Sequence, residues 1–206
     1  TLGKNVAPDA TFTLRLAFGI VRGYQLDDKE IPFQTTYKSL FERHSLMQGK
    51  VPFDLPEQWL QNNLQRLPYR LRQMHGAAGL PELATPELQR MFLQMVWYES
   101  HRAALDPALV LGMVEVESGF RKFAISSAGA MGVMQVMPFW TRVLGQGDAT
   151  MLFQWQTNLR FGCVILRHYL KLEDGQLAMA LGRYNGSRGQ SAYPQAVLAA
   201  QQRWQP

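Results

Sequence analysis

The chain has 206 residues, enough for one medium domain or a domain with an appendage, and its 47% hydrophobic and 18% charged content excludes an intrinsically disordered chain. The net charge of +5 is dispersed, with ten Lys/Arg against eight Asp/Glu in residues 1–85 and eleven against eight in 86–206, so no nucleic-acid partner is indicated and at most a mild field for an anionic polymer remains. The apolar runs fall far short of the roughly 18 residues a membrane helix needs. The single cysteine, Cys163, allows no internal disulfide and no Cys-cluster metal site; its apolar helical setting reads as a buried structural thiol.

In chain order, residues 11–24 read as strand, with Phe12, Leu14, Leu16 and Phe18 alternating with Thr11, Thr13, Arg15 and Ala17. Residues 35–43 are ambiguous, Pro52 and Pro56 flank an irregular stretch, and Glu57–Leu67 has helical character. A partly β segment over residues 1–68 is expected, followed by a mainly α domain over 69–206. Thr85-Pro86-Glu87 is a helix start, with N-cap, proline at the first position and an acid near the positive end. Met91, Phe92, Met95, Val96 and Tyr98 continue it as an apolar stripe. Asp106-Pro107 repeats the signal, and Leu109, Val110, Met113, Val114 and Glu117 share a face of a helix that Gly119 stops. A long helix over 156–171 should turn Leu159, Val164, Ile165, Leu166 and Tyr169 inward. Residues 176–184 form another helix, Gly186-Ser187-Arg188-Gly189 a loop, and Tyr193-Pro194 opens a terminal helix.

Chemistry concentrates at Val116-Glu117-Ser118-Gly119-Phe120, followed by the Gly- and Met-rich stretch from Ser126 to Pro138. A carboxylate at the end of an apolar helix, facing apolar walls such as Phe120, Val133, Met134 and Met137, can stay protonated near neutral pH and donate a proton. A glycosidic bond is the substrate that suits such an acid. The motifs contain no second carboxylate, since Asp148, Glu173 and Asp174 fall in loops or at helix ends; Glu115 reads as solvated or structural. His44, His75, His101 and His168 show no ligand spacing, so no metal and no cofactor are expected.

Several stretches in order resemble the soluble-type lytic transglycosylases, which share the goose-type lysozyme-like fold. They are Asp106–Leu111, Glu117-Ser118-Gly119-Phe120, Ser126-x-x-Gly129-Ala130-x-Gly132-x-Met134-Gln135-x-Met137-Pro138, Asn158-x-x-x-Gly162 and Tyr184-Asn185-Gly186. The last is shifted relative to the family pattern, and Arg183 stands where a small residue is commoner. The resemblance implies cleavage of the β-1,4 bond between N-acetylmuramic acid and N-acetylglucosamine in peptidoglycan, in the periplasm or cell envelope, with Glu117 as the single acid and base. The sugar's own C6 hydroxyl would attack, leaving a 1,6-anhydro end. By the same resemblance Gln135 and Met137 would line the groove near the acid, Tyr184 would orient Glu117, Asn185 would hydrogen-bond substrate or hold the motif loop, and Ser126 would help bind the saccharide or its peptide-bearing side. Ser126 also reads as a turn residue, Asn185 as a cap and Tyr184 as a packed aromatic. A hydrolysing muramidase and a wall-binding module without turnover are the alternatives.

A second resemblance covers about residues 5–62. Asp9–Leu16, Gly23-Tyr24, Thr35-Thr36 and Val51–Leu60 are similar to an internal piece of the S46 dipeptidyl-peptidases. The nucleophile loop of that family is absent from the chain, so no peptidase activity is expected of this segment.

Overall fold

The computed structural model describes two short strands, Tyr24–Leu26 and Lys29–Ile31, and residues 55–205 apart from position 146. The chain divides into two compact units, Thr1–Leu40 and Phe41–Pro206. In the first, β1 (Tyr24–Leu26) pairs antiparallel with β2 (Lys29–Ile31), with Tyr24 opposite Ile31. The strand expected over 11–24 lies outside the described residues except at Tyr24, as do residues 35–43 and the motifs of the second resemblance up to Asp54.

The second unit is mainly α in its described residues, as expected. Helix α1 (Glu57–His75) buries Leu60, Asn63, Leu67 and Leu71, one stripe three to four residues apart. It runs through Pro68, which costs one backbone hydrogen bond, and so crosses the boundary expected at 68/69 without a break. Tertiary contact decides this: before the proline Trp59 packs on Trp97 of the next helix with ring centroids 4.8 Å apart, and after it Leu71 is buried and Arg70 binds Glu115. Helix α2 (Pro86–Arg102) starts as its sequence dictates, with Thr85 Oγ1 accepting from the Leu88 amide at 3.3 Å.

Helix α3 (Pro107–Ser118) is capped by Asp106, whose Oδ1 accepts from Ala108 N at 2.9 Å. Leu109, Val110, Met113 and Val114 are buried, and burial extends beyond their face. Every residue from Ala108 to Glu115 is buried, as befits a helix apolar on all sides. Its closest neighbour is the terminal helix, and the approach is made at Gly112. A Cβ there would lie 2.7 Å from Gln201 N and 3.0 Å from Val197 O.

The short α4 (Trp140–Leu144) and a 3₁₀ turn, Ala149–Phe153, lead into α5 (Trp155–Leu172). Leu159, Ile165 and Leu166 face inward as expected, Tyr169 is half-buried, and Val164 is exposed, because the buried stripe of α5 passes through Phe161, Gly162 and Cys163 instead. Helix α6 (Leu177–Asn185) and α7 (Ala192–Trp204) complete the unit. A chain of edge-on aromatic contacts crosses the core, Trp155–Phe92 at 5.4 Å, Phe92–Phe120 at 5.9 Å and Phe120–Trp204 at 5.6 Å. Each such side chain, fully buried, stabilises by about 2–3 kcal/mol relative to exposure. No helix among the described residues is long and apolar enough to cross a membrane.

Candidate active site

The end of α3 is shaped by two consecutive left-handed residues, Gly119 (φ +57°) and Phe120 (φ +67°). For Phe120 that conformation costs about 1–2 kcal/mol. Its ring is fully buried between Phe92 and Trp204, which offsets the strain. The turn sends the chain into the Gly- and Met-rich loop, which short β-bridges fold on itself, Ile125 to Met131 and Met131 to Val136.

Three clamps hold this loop against the helices. Ser118 Oγ lies 2.8 Å from Val133 O and 3.1 Å from Val114 O, tying the loop to α3. Asn158 on α5 uses its whole amide: Oδ1 accepts from Met134 N at 2.7 Å, and Nδ2 donates to Met131 O and Leu152 O, both at 2.8 Å. Met134 seats its sulfur on Gly162, where any side chain on α5 would displace it. This assigns a physical reason to the spacing Asn158-x-x-x-Gly162: the two lie on adjacent turns of one helix and grip the same loop residue.

Glu117 sits half-buried one residue before this apparatus. Among the described residues its hydrogen-bond partner is the Tyr193 hydroxyl, which donates to Oε1. Burial disfavours the charged carboxylate and pushes its pKa up to about 7, against a weaker downward pull from Tyr193. Burial, then the neighbouring Glu117, drives the Tyr193 hydroxyl far above its ordinary range, so it remains a donor. Tyr184 is likewise pushed up by burial and then by the charge of Glu117. Its hydroxyl, however, donates to Met134 O at 2.8 Å. The orienting contact expected of Tyr184 is therefore made by Tyr193, and Tyr184 secures the loop. Tyr193 lies in the first turn of α7, and the close approach of α3 and α7 at Gly112 brings it to a residue 76 positions away. In the sequence its only signal was a helix start.

The other expected site residues are placed as follows. Gln135 adopts φ +49° and spends its side-chain amide inside the loop, donating to Gly132 O at 2.9 Å and Ala124 O at 3.2 Å. Ser126 is a turn residue, its Oγ accepting from Ala130 N at 3.0 Å. Met137 is half-buried. Asn185 is exposed at the end of α6 and accepts from Ser187 Oγ at 2.9 Å. Phe120, Val133 and Met134 are core residues with at most 1% exposure. Nothing brings Ser126, Met137 or Asn185 into hydrogen-bond contact with Glu117.

Among the described residues, the remaining buried carboxylates are bound to arginine. Glu115 accepts from Arg70, from Arg203 Nη2 at 2.6 Å and from Trp204 Nε1 at 2.9 Å, so of its two readings the structural one holds. Glu99 pairs with Arg160 at 3.0 Å and Arg102 at 3.2 Å. Glu173 accepts from Arg183 Nε at 2.5 Å and from Arg188 at 2.7 and 3.0 Å. These two guanidiniums hold its carboxyl down at about 2. The unusual Arg183 thus has a partner. Cys163 is buried, and burial pushes its thiol up, so it is an inert packing residue.

Two family models match this sequence. The one described as Transglycosylase SLT domain matches residues 94–203, and the one described as Peptidase S46 matches residues 1–74. A transglycosylase of Enterobacteria phage PRD1 is 36% identical over 114 residues, which are 50% of this chain and 42% of that protein. A membrane-bound lytic murein transglycosylase C of Mannheimia succiniciproducens is 47% identical over 49 residues, 24% of this chain and 14% of that protein. The structure of an inactive mutant of the lytic transglycosylase Slt from Pseudomonas aeruginosa aligns with a TM-score of 0.44 at 19% identity, over 83% of this chain and 29% of that one. The chain therefore spans less than half the length of the relatives it matches. With more than half of its residues under the SLT match, including Glu117 and every clamp around it, the chain belongs to the transglycosylase SLT domain family.

Proposed function

We propose that this chain is a peptidoglycan lytic transglycosylase acting with a single carboxyl group. The observation that carries the reading is Glu117, withdrawn from water, held near pKa 7 and touched by a phenol rather than by a cation. At or below neutral pH it is a proton donor, and Glu99, Glu115 and Glu173 are engaged with arginine and unavailable as a second carboxylate.

The chemistry runs on that one group. As the bond between muramic acid C1 and the O4 of N-acetylglucosamine breaks, Glu117 gives its proton to the departing oxygen. The muramoyl C6 hydroxyl then bonds to C1, and its proton passes to the Glu117 carboxylate, which is restored to its starting form. No water enters, so no water-activating base is required. The attack is intramolecular, and well-oriented intramolecular groups act at effective molarities of roughly 10⁵ M or more. Tyr193 keeps the carboxyl aimed through both transfers. In this reading the motif loop, with Gln135 and Met137, would form the wall for the strand, and Ser126 and Asn185 would bind the flanking saccharide. The functional division is a catalytic portion beginning near residue 69 and an N-terminal portion without activity of its own. A polymer substrate of this kind places the protein in the periplasm or cell envelope.

Mass spectrometry of digested peptidoglycan tests the reading. The parent chain should release muropeptides with 1,6-anhydro ends, and Glu117→Gln should release none. Reducing ends in place of anhydro ends would make the enzyme a hydrolase; binding without release would make it a wall-binding module.

A further inference from the structure

Helix α1 lies wholly upstream of the segment matched to the transglycosylase family, which begins at residue 94, yet it reaches the turn that follows Glu117. Its last residue, His75, places Nε2 2.7 Å from the carbonyl oxygen of Gly119. That carbonyl is two residues past Glu117, at a helix end where carbonyls lack intrahelical donors. A carbonyl only accepts, so Nε2 carries the proton and donates. The ring also packs on the turn, since a Cβ on Gly119 would lie 3.3 Å from imidazole Cε1 and Nε2. One turn and a residue back, Arg70 binds Glu115 on the preceding turn of α3. Two anchors five residues apart on α1 thus hold two points four residues apart on α3, which fixes rotation as well as position. The far end of α1 is held by Trp59 on Trp97.

We propose that α1 braces the catalytic turn and that His75 is a positioning residue: by donating to Gly119 O it holds the end of α3 so that Glu117 remains withdrawn from water. The role rests on the reading of Glu117 as the acid. The charged and titratable groups that meet at this contact are Arg70 on α1, Glu115 and Glu117 on α3, and Tyr193 and Arg203 on α7, while Glu57, Arg66 and Arg72 of α1 make no bond to Glu117 among the described residues. The bond to Gly119 uses a proton present in both the neutral and the charged imidazole, so it persists whichever form His75 takes. Release of the turn admits water to Glu117 and favours its charged form.

The test uses the full chain labelled with ¹³C at the glutamate carboxyls, titrated by NMR, beside kcat and KM on peptidoglycan. In His75→Phe, which keeps the ring and removes the donor, the Glu117 midpoint should fall by about one pH unit. In the same variant kcat should drop about tenfold with KM nearly unchanged. His75→Gln, whose amide nitrogen can reach the same carbonyl, should restore both, and Arg72→Ala, on the exposed side of α1, should change neither. Should His75→Phe not fold, His75→Asn, with an amide too short to reach, takes its place. A Glu117 midpoint identical in parent and donor-less variant overturns the brace, as does failure of His75→Gln to restore it. A shifted midpoint in a protein that releases no muropeptide supports the brace and sinks the proposed activity instead.

Discussion

At the α3–α7 corner a carboxylate meets a phenol; at the α5–α6 corner another meets two guanidiniums. Glu117 and Glu173 both lie on or just past the last turn of a helix, and both are shielded from water. Yet one is pushed up to about 7 and the other held down at about 2. Withdrawal from solvent alone penalises the charged form. Adding fixed cations reverses the sign. The difference is one of neighbours: Tyr193 can give one neutral hydrogen bond, whereas Arg183 and Arg188 give three charge-assisted ones. The first arrangement keeps a proton available for chemistry, and the second fastens the end of α5 to the loop after α6.

The largest break in that comparison comes from Glu117→Gln. General acid catalysis is worth about 10²–10⁴-fold, and in the proposed mechanism the same group also serves as base, so muropeptide release should fall by at least about a thousandfold. Stability should move the other way. The folded pKa lies above the ordinary 4.5, so the native state binds more protons than the unfolded chain between about 4.5 and 7. The parent loses stability as pH rises through that window, on the order of 3 kcal/mol in total, and Glu117→Gln does not. Thermal denaturation at pH 4 and pH 8 checks this: the variant should gain on the parent at pH 8. An equal difference at both values would mean that Glu117 is not withdrawn from water.

Next in size is Tyr193→Phe, which removes the hydroxyl and keeps the ring. Loss of the aiming contact should lower kcat about tenfold. Because the Tyr193 bond pulls the Glu117 pKa down, its removal should move the alkaline limb of the activity profile upward from about 7. A slower enzyme working to higher pH is a signature that loss of structure alone would not give. An alkaline limb that stays in place would assign the orienting contact elsewhere, with Tyr184 the nearest alternative.

What the sequence made legible follows the range of the interactions. The starts at Thr85-Pro86 and Asp106-Pro107 and the stop at Gly119 are settled by neighbours within four residues, and all three form as expected. The helix beyond Pro68 was not legible, because its proline argues for an end and only tertiary contacts past it, Arg70 on Glu115 and His75 on Gly119 O, argue for continuation. Val164 fell on the wrong side because a stripe that includes small residues, Gly162 and Cys163, is invisible to a count of large apolar ones. Glu117 was singled out by its motif; the phenol that bonds it was not. Tyr193 reaches Glu117 only because Gly112 lets two helices approach to backbone contact, and nothing in either local sequence names the other. Arg183 looked like a departure from a pattern and is half of a clamp whose other members, Glu173 and Arg188, lie ten and five residues away.

The smallest effect on activity should come from the arginine-bound corner, and its pH dependence separates the two corners most sharply. Glu173 has a folded pKa below its ordinary 4.5, so its contribution to stability is present above about 4.5 and is lost as pH falls through about 2. Glu173→Gln leaves Arg183 and Arg188 without their carboxylate, so its midpoint of thermal denaturation should lie below that of the parent at pH 7, approach it at pH 4 and meet it near pH 2. That order is the reverse of Glu117→Gln, whose advantage grows as pH rises. Activity at pH 6 should fall less than in Tyr193→Phe, because Glu173 acts on the reaction only through the seating of α6 and the Tyr184 hydroxyl on Met134 O. A larger loss of kcat than in Tyr193→Phe, with the stability profile as described, would make that seating the stronger determinant of where Glu117 points, and the two corners would then be one coupled device rather than two.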